Sequence, residues 1–174
     1  MTPLLAVLDG QLSLNLVIWA FPVAFLLHDL EEIFTMERFS RENRERFPKF
    51  LRNIAAITTR QFTLAVGVLL VLTLLASYLA TRPQRQMDLF TLVLAIFLVH
   101  ILGHVAQTVF FRGYTPGLIT ALLVVLPYSL YGFHRLFTAN LIGGDSFTTS
   151  ILIGALLFVP VILAATQLGK LLAR

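Results

Sequence analysis

The segment His28-Asp29-Leu30-Glu31-Glu32 puts one imidazole and three carboxyl groups within about a turn of helix. Downstream, His100-Ile101-Leu102-Gly103-His104 puts two more imidazoles one turn apart. Residues three and four apart share a helix face. At about 100° per residue, Glu31 falls about 60° to one side of His28 and Glu32 about 40° to the other. Imidazoles and carboxylates at such spacings on two facing helices are how helical bundles build metal sites. The donor types suit a divalent ion, Zn²⁺ or Fe²⁺ before Mn²⁺. We expect His28, Glu32, His100 and His104 as ligands. Glu31 and Glu32 are the candidate catalytic carboxylates: one can bind the ion while the other takes a proton from water. Asp29 lies about 100° from His28 and is expected in a supporting or packing role. Gln107, Thr108 and Thr120 are expected to hold the ligands by hydrogen bonds.

These residues must be positioned by elements built for a membrane. The 174-residue chain is 57% apolar and 13% charged, too few polar groups to cover a soluble domain, which carries about 25% charged residues. Mean hydropathy is +0.85. The chain has no cysteine, which excludes disulfides, Cys-ligated zinc, iron–sulfur clusters and thiol nucleophiles. Five stretches are long enough to cross a bilayer, which takes roughly 20 residues each: residues 13–34, 62–81, 88–111, 117–137 and 146–168. The expected fold is all-α, a polytopic helical bundle forming one integral membrane domain over residues 1–174. Helices are required because lipid leaves no partner for an open backbone group. The connections at 82–87, 112–116 and 138–145 are short, so neighbouring spans are antiparallel. Pro22, Pro127 and Pro160 predict local kinks. Gly67, Gly103, Gly132 and Gly154 predict close helix approach.

The segment 35–61 is different. It holds Arg38, Arg41, Arg44, Arg46, Lys49, Arg52 and Arg60, seven of the thirteen basic residues. Phe47, Phe50, Leu51 and Ile54 recur at helical spacing, which predicts an amphipathic helix lying in the interface. With this segment in the cytoplasm, Arg112, Lys170 and Arg174 are also inside, giving ten basic residues within and three outside. The positive-inside rule then puts the N-terminus out and the C-terminus in. A net charge of +4 arising from such a cluster reads as topology, and nucleic acid is not an expected partner. On this orientation His28 lies roughly 9 Å from the cytoplasmic end of its span and His104 roughly 10 Å from that of its own, so the two motifs meet at similar depth. Charged groups at such depth are costly and mark functional sites. Arg38, Arg41 or Arg44 is a candidate to hold an anionic lipid head group nearby. Tyr128, Tyr131, His134 and Arg135 read as an outer interfacial belt.

HDLEE at His28–Glu32, HILGH at His100–His104 and RGYTPGLIT at Arg112–Thr120 together resemble the HXXEE family of small bacterial membrane proteins. The resemblance singles out His28, Glu31, Glu32, His100 and His104, and with them the Tyr114–Pro116–Gly117 turn. It implies that Tyr114 stands near the site and that the turn shapes its mouth, and it implies a bacterial plasma membrane. It supplies no reaction. The prenyl-protein protease pattern EExxxR and FxxxH does not match: Met36 stands in place of the arginine, and Phe97 is three residues before His100.

The expected function is therefore a membrane-embedded, metal-dependent hydrolase acting on a lipid or other apolar substrate at the cytoplasmic leaflet. The alternatives are a metal-ion or proton transporter and a non-catalytic metal-binding subunit. Membrane lipid is the expected partner, and the pattern is compatible with a homo-oligomer.

Overall fold

The computed structural model describes residues 3–49 and 52–174, with side chains from Ser13 onward apart from Ile54. Among the described residues, five long helices form the bundle: α1 (Pro3–Glu42), α2 (Thr59–Ala80), α3 (Met87–Phe111), α4 (Leu118–Thr138) and α5 (Gly144–Leu172). All five contain stretches long and apolar enough to cross a membrane, within a few residues of the sequence expectation. The largest difference is at the end of α1. It continues past Phe34 to Glu42, carrying Glu37, Arg38 and Arg41 beyond the apolar stretch, and an exposed Arg38–Glu42 pair at 2.8 Å closes its last turn.

Two heptad-like stripes make the core. On α1, Leu14, Ile18, Phe21 and Phe25 are buried at alternating spacings of four and three; His28 and Glu32 extend the same stripe. On α3, Phe90, Leu94, Phe97 and Ile101 are buried in the same rhythm and His104 continues it. Such a seam keeps one face of a helix turned to its partner over many turns. Phe21 meets Phe90 edge to face at 5.6 Å and Phe97 at 5.4 Å, and Tyr128 of α4 stacks on it at 5.9 Å. The geometry that buries the phenylalanines therefore also delivers the polar ligands to the middle of the bundle.

α2 packs against α1, α3 and α5, and α5 closes over α2 and α3. Small residues allow this. At Gly154 a Cβ would lie 3.2–3.4 Å from the backbone and Cβ of α3 at Ile96 and Ala95, and at Gly169 it would collide with the Gln61 carbonyl oxygen of α2. Gly67, expected at a close approach, has nothing within 4 Å of where its Cβ would be; it faces away from the bundle contacts.

The prolines act individually. Pro22 has no N–H to give the carbonyl of Ile18 four residues earlier. Ser77 of α2, fully buried, donates its hydroxyl to that carbonyl at 3.1 Å. In α4, Pro127 follows a π-helical turn at Ala121–Val125. Tyr128, expected in an outer belt, instead turns inward and donates to the Val17 carbonyl oxygen at 2.9 Å, because its ring completes the Phe21 stack. Tyr131 and His134 are exposed.

The basic segment is not one amphipathic helix. Among the described residues it forms a 3₁₀ turn at Arg44–Arg46 and a four-residue helix at Arg52–Ala55; Phe50, Leu51 and the Ile54 side chain lie outside them. The reason is Pro48, which holds Phe47 extended (φ −68°, ψ 141°) and stops helix propagation. Phe47 packs on Phe111 (4.9 Å) and Phe39 (6.3 Å), and Arg46 donates to the Phe111 carbonyl oxygen at 2.5 Å. The segment is thus bound to the C-terminal end of α3.

Candidate metal centre

Three imidazole nitrogens converge where the stripes of α1 and α3 meet. Nε2 of His28 lies 3.1 Å from Nε2 of His100 and 3.2 Å from Nε2 of His104, and the last two are 2.7 Å apart. Oε1 of Glu32 is 3.4 Å from Nε2 of His104 and 4.0 Å from Nε2 of His100. One ligand atom from each of these four residues fits within 4.8 Å of the others. Ligand atoms about 2.0–2.1 Å from a tetrahedral ion stand roughly 3.4 Å from one another, which is the middle of this range. His28, Glu32 and His104 are buried and His100 nearly so.

The hydrogen-bond chemistry points the same way. Thr120 donates its hydroxyl to Oε2 of Glu31 at 2.6 Å, and Nδ1 of His28 sits 3.0 Å from the same Thr120 oxygen. With its only proton committed to the carboxylate, Thr120 accepts from Nδ1–H of His28. That fixes the tautomer and leaves Nε2 as a bare lone pair. The three nitrogens are mutually close, yet a lone pair on His28 and one proton at most on each other nitrogen cannot give every contact a well-aligned hydrogen bond. A cation among them accepts all three lone pairs. The residues present fit a divalent ion, and the group could hold one.

The adjacent glutamates face different elements. Glu32 turns to the histidines. Glu31 turns to the start of α4, where its carboxylate accepts from Tyr114 Oη (2.6 Å), Thr120 N (2.8 Å), Thr120 Oγ1 (2.6 Å) and, more weakly, Ile119 N (3.4 Å). A carboxylate at a helix N-terminus satisfies orphan N–H groups and the positive end of the dipole. Glu37, one and a half turns on, accepts from Thr59 N and Oγ1 at the start of α2 (2.5 and 2.6 Å). Two acids of α1 thus cap two other helices. Burial, reinforced by the bond to Glu31, pushes the Tyr114 phenol up to about 12, so it remains a donor at neutral pH.

The turn before α4 is fitted against the ligands. Gly117 has φ +81°, and a Cβ there would stand 2.5 Å from Cε1 of His104 and 2.9 Å from Cγ and Oε1 of Glu32. Thr108 and Thr115 bridge the turn to α3 with a 2.9 Å hydroxyl contact.

Beside the centre lies an elongated cavity of about 340 Å³ between α1, α2, α3 and α5. His28, Asp29, Glu32, His100 and Gln107 line one part of it, and Phe21, Leu69, Leu72 and Val93 are among the apolar residues lining the rest. Asp29 is buried, and its Oδ2 has no hydrogen-bond partner among the described residues. Arg38, Arg41 and Arg44 are all exposed, with Arg38 engaged by Glu42. Arg46, bonded to the end of α3, is in the sequence one of seven basic residues of its segment, and no spacing distinguishes it from the others.

A bundle of apolar helices enclosing a buried three-histidine, one-glutamate group defines a multi-pass membrane protein with a potential metal centre. The chain belongs to the family described as protein of unknown function with HXXEE motif, whose model matches residues 19–132, well over half of it. It is also 26% identical over 153 residues to an "Uncharacterized protein YrkK" of Bacillus subtilis (strain 168), covering 86% of this chain and 92% of the relative. No solved structure matches it.

Proposed function

We propose that this protein is a metal-dependent hydrolase of the bacterial plasma membrane, acting on a lipid or other apolar substrate at the cytoplasmic leaflet. The observation that carries the reading is the convergence of three imidazole Nε2 atoms and the Glu32 carboxylate beside an apolar cavity that His28, Glu32 and His100 help to line. A bound divalent ion would supply a Lewis acid for the scissile group and bring a water's pKa toward about 7. His28, His100 and His104 would hold the ion. Glu32 alone of the two glutamates faces the imidazoles. With the three histidines as ligands and the fourth position left to water, it would be the base that takes that water's proton rather than a fourth ligand. Glu31, with its acceptor oxygens satisfied, positions Thr120 and through it His28. Phe21, Phe25 and Phe97 exclude bulk water and receive the apolar part of the substrate.

The orientation belongs to the same proposal. Ten basic residues on one side against three on the other put the end of α1, the start of α2 and the Tyr114–Gly117 turn in the cytoplasm. The transporter alternative is disfavoured by the outer part of the cavity, whose Phe21, Leu75 and Leu89 offer an ion no ligands.

The test is elemental analysis of protein purified without chelator, together with turnover assays on lipid extracts. The expected result is about one ion per chain, lost in His28→Ala, and turnover that stops in Glu32→Gln with the ion retained. No ion in the wild type, or occupancy unchanged by His28→Ala, overturns the metal centre. Occupancy without turnover favours transport or a non-catalytic subunit.

A further inference from the structure

The cavity and Asp29 carry a statement about the ligand that deepens the hydrolase reading and rests on it for the identity of the site. Cavity-lining residues on α1 run from Phe21 to Met36, fifteen residues or about 22 Å of helix, and on α3 from Leu89 to Gln107, about 27 Å. The volume of about 340 Å³ is at the small end for a ligand site, which typically encloses about 300–1,000 Å³. A small volume spread over that depth is a slot, and a slot parallel to the helices matches one extended hydrocarbon chain. Leu72, Leu75 and Leu89, at the end away from Gln107, are also exposed on the outside of the bundle, so that end opens sideways to lipid.

Asp29 stands in the wall of this slot, one turn before Glu32 on α1. It is 5% exposed, and its Oδ2 has no hydrogen-bond partner among the described residues. A buried polar atom left without a partner costs about 1–3 kcal/mol, more if charged, and calls for an explanation. The neighbouring groups do not provide one: the Glu32 carboxylate faces the histidines, and the His28 nitrogens are committed to Thr120 and to the other imidazoles. A donor brought by the ligand does. We propose that the slot binds a single-chain amphiphile whose polar end carries a hydroxyl or amine, and that Asp29 accepts a hydrogen bond from that group while the chain runs toward Leu75 and Leu89.

The experiment uses a photoreactive tetradecanol bearing a diazirine near its chain terminus, with the full-length protein in nanodiscs. 1-Tetradecanol and methyl tetradecyl ether serve as competitors; they share the chain, and only the alcohol can donate. Cross-links are expected on slot residues such as Leu72, Leu75 and Leu89. The alcohol is expected to compete about three- to tenfold better than the ether, the scale of one ordinary hydrogen bond. Asp29→Leu should make the two competitors equal, and Asp29→Asn, which keeps one acceptor oxygen and the polar volume, should keep part of the preference. Val93→Phe should block labelling by filling the slot. Cross-links confined to the outer face of α5, equal competition in the wild type, or an alcohol preference that survives in Asp29→Leu overturns the proposal. Because the probe has no scissile bond, labelling is read independently of turnover. Specific labelling of a protein that holds no ion would remove the hydrolase reading and leave the slot standing.

Discussion

Thr120 Oγ1 lies 3.0 Å from Nδ1 of His28 while donating to Glu31 at 2.6 Å. One hydroxyl from α4 therefore joins the first and fourth residues of the HxxEE motif. It makes the tautomer of His28 depend on a helix 92 residues downstream. Thr120→Val keeps the shape and removes the acceptor. Its expected effect is a 10–100-fold loss of metal affinity, the usual cost of removing a hydrogen bond behind a ligating histidine, measured by competition against a calibrated chelator. Affinity equal to wild type would show that His28 is oriented by packing alone.

Gly117 yields a steric prediction. In Gly117→Ala the methyl group would meet His104 and Glu32, and φ +81° adds backbone strain of about 1–2 kcal/mol. Metal occupancy should fall while the helical circular dichroism signal stays. Gly113→Ala is the control, since its Cβ meets nothing nearer than 4.0 Å. Equal losses in the two variants would mean that the turn tolerates no side chain for reasons unrelated to the ligands.

Metal binding should also stabilise the bundle. A ligand that binds only the folded state at 100 times its Kd adds about 2.7 kcal/mol. Adding Zn²⁺ or Fe²⁺ to chelator-stripped protein should raise the unfolding midpoint in detergent, and His104→Gln should abolish most of that shift. An undiminished shift in His104→Gln would place the ion elsewhere.

Pro22 and Ser77 form a pair that a double-mutant cycle can resolve. Ser77→Ala leaves the Ile18 carbonyl without its donor and should cost about 1–3 kcal/mol. Pro22→Ala restores a backbone N–H to the same carbonyl, so the cost of Ser77→Ala should shrink in that background. Additive effects in chemical unfolding would mean that the hydroxyl contributes only through packing.

The division of labour between the glutamates predicts opposite signatures. Glu31→Gln keeps one acceptor oxygen but loses the charge facing the start of α4, so it should lower stability and metal affinity together. Glu32→Gln should leave stability nearly unchanged and act on turnover. The two are compared by thermal unfolding alongside activity. A Glu32→Gln variant that unfolds early with full activity would reverse the assignment.

The sequence by itself determined the number and approximate limits of the spanning helices, because length and hydropathy are local properties and lipid admits little besides a helix. It also determined the four potential ligands: the spacings 28–32 and 100–104 put each pair on one face whatever the surrounding fold. Tertiary structure decided the rest. The roles of Glu31 and Glu32 differ by one residue's rotation on α1, and only the position of α4 settles which of them meets Thr120 and which meets the histidines. Asp29 lies on a slot wall only because α2 and α5 pack beside α1 and α3 and leave that space. In the basic segment apolar spacing predicts one helix, but Pro48 holds Phe47 extended and the contacts of Phe47 and Arg46 with the end of α3 bind the segment there. Periodicity reports which face of a helix is apolar; the relative rotation and spacing of whole helices arise from many long-range contacts summed together, and no local window of sequence contains them.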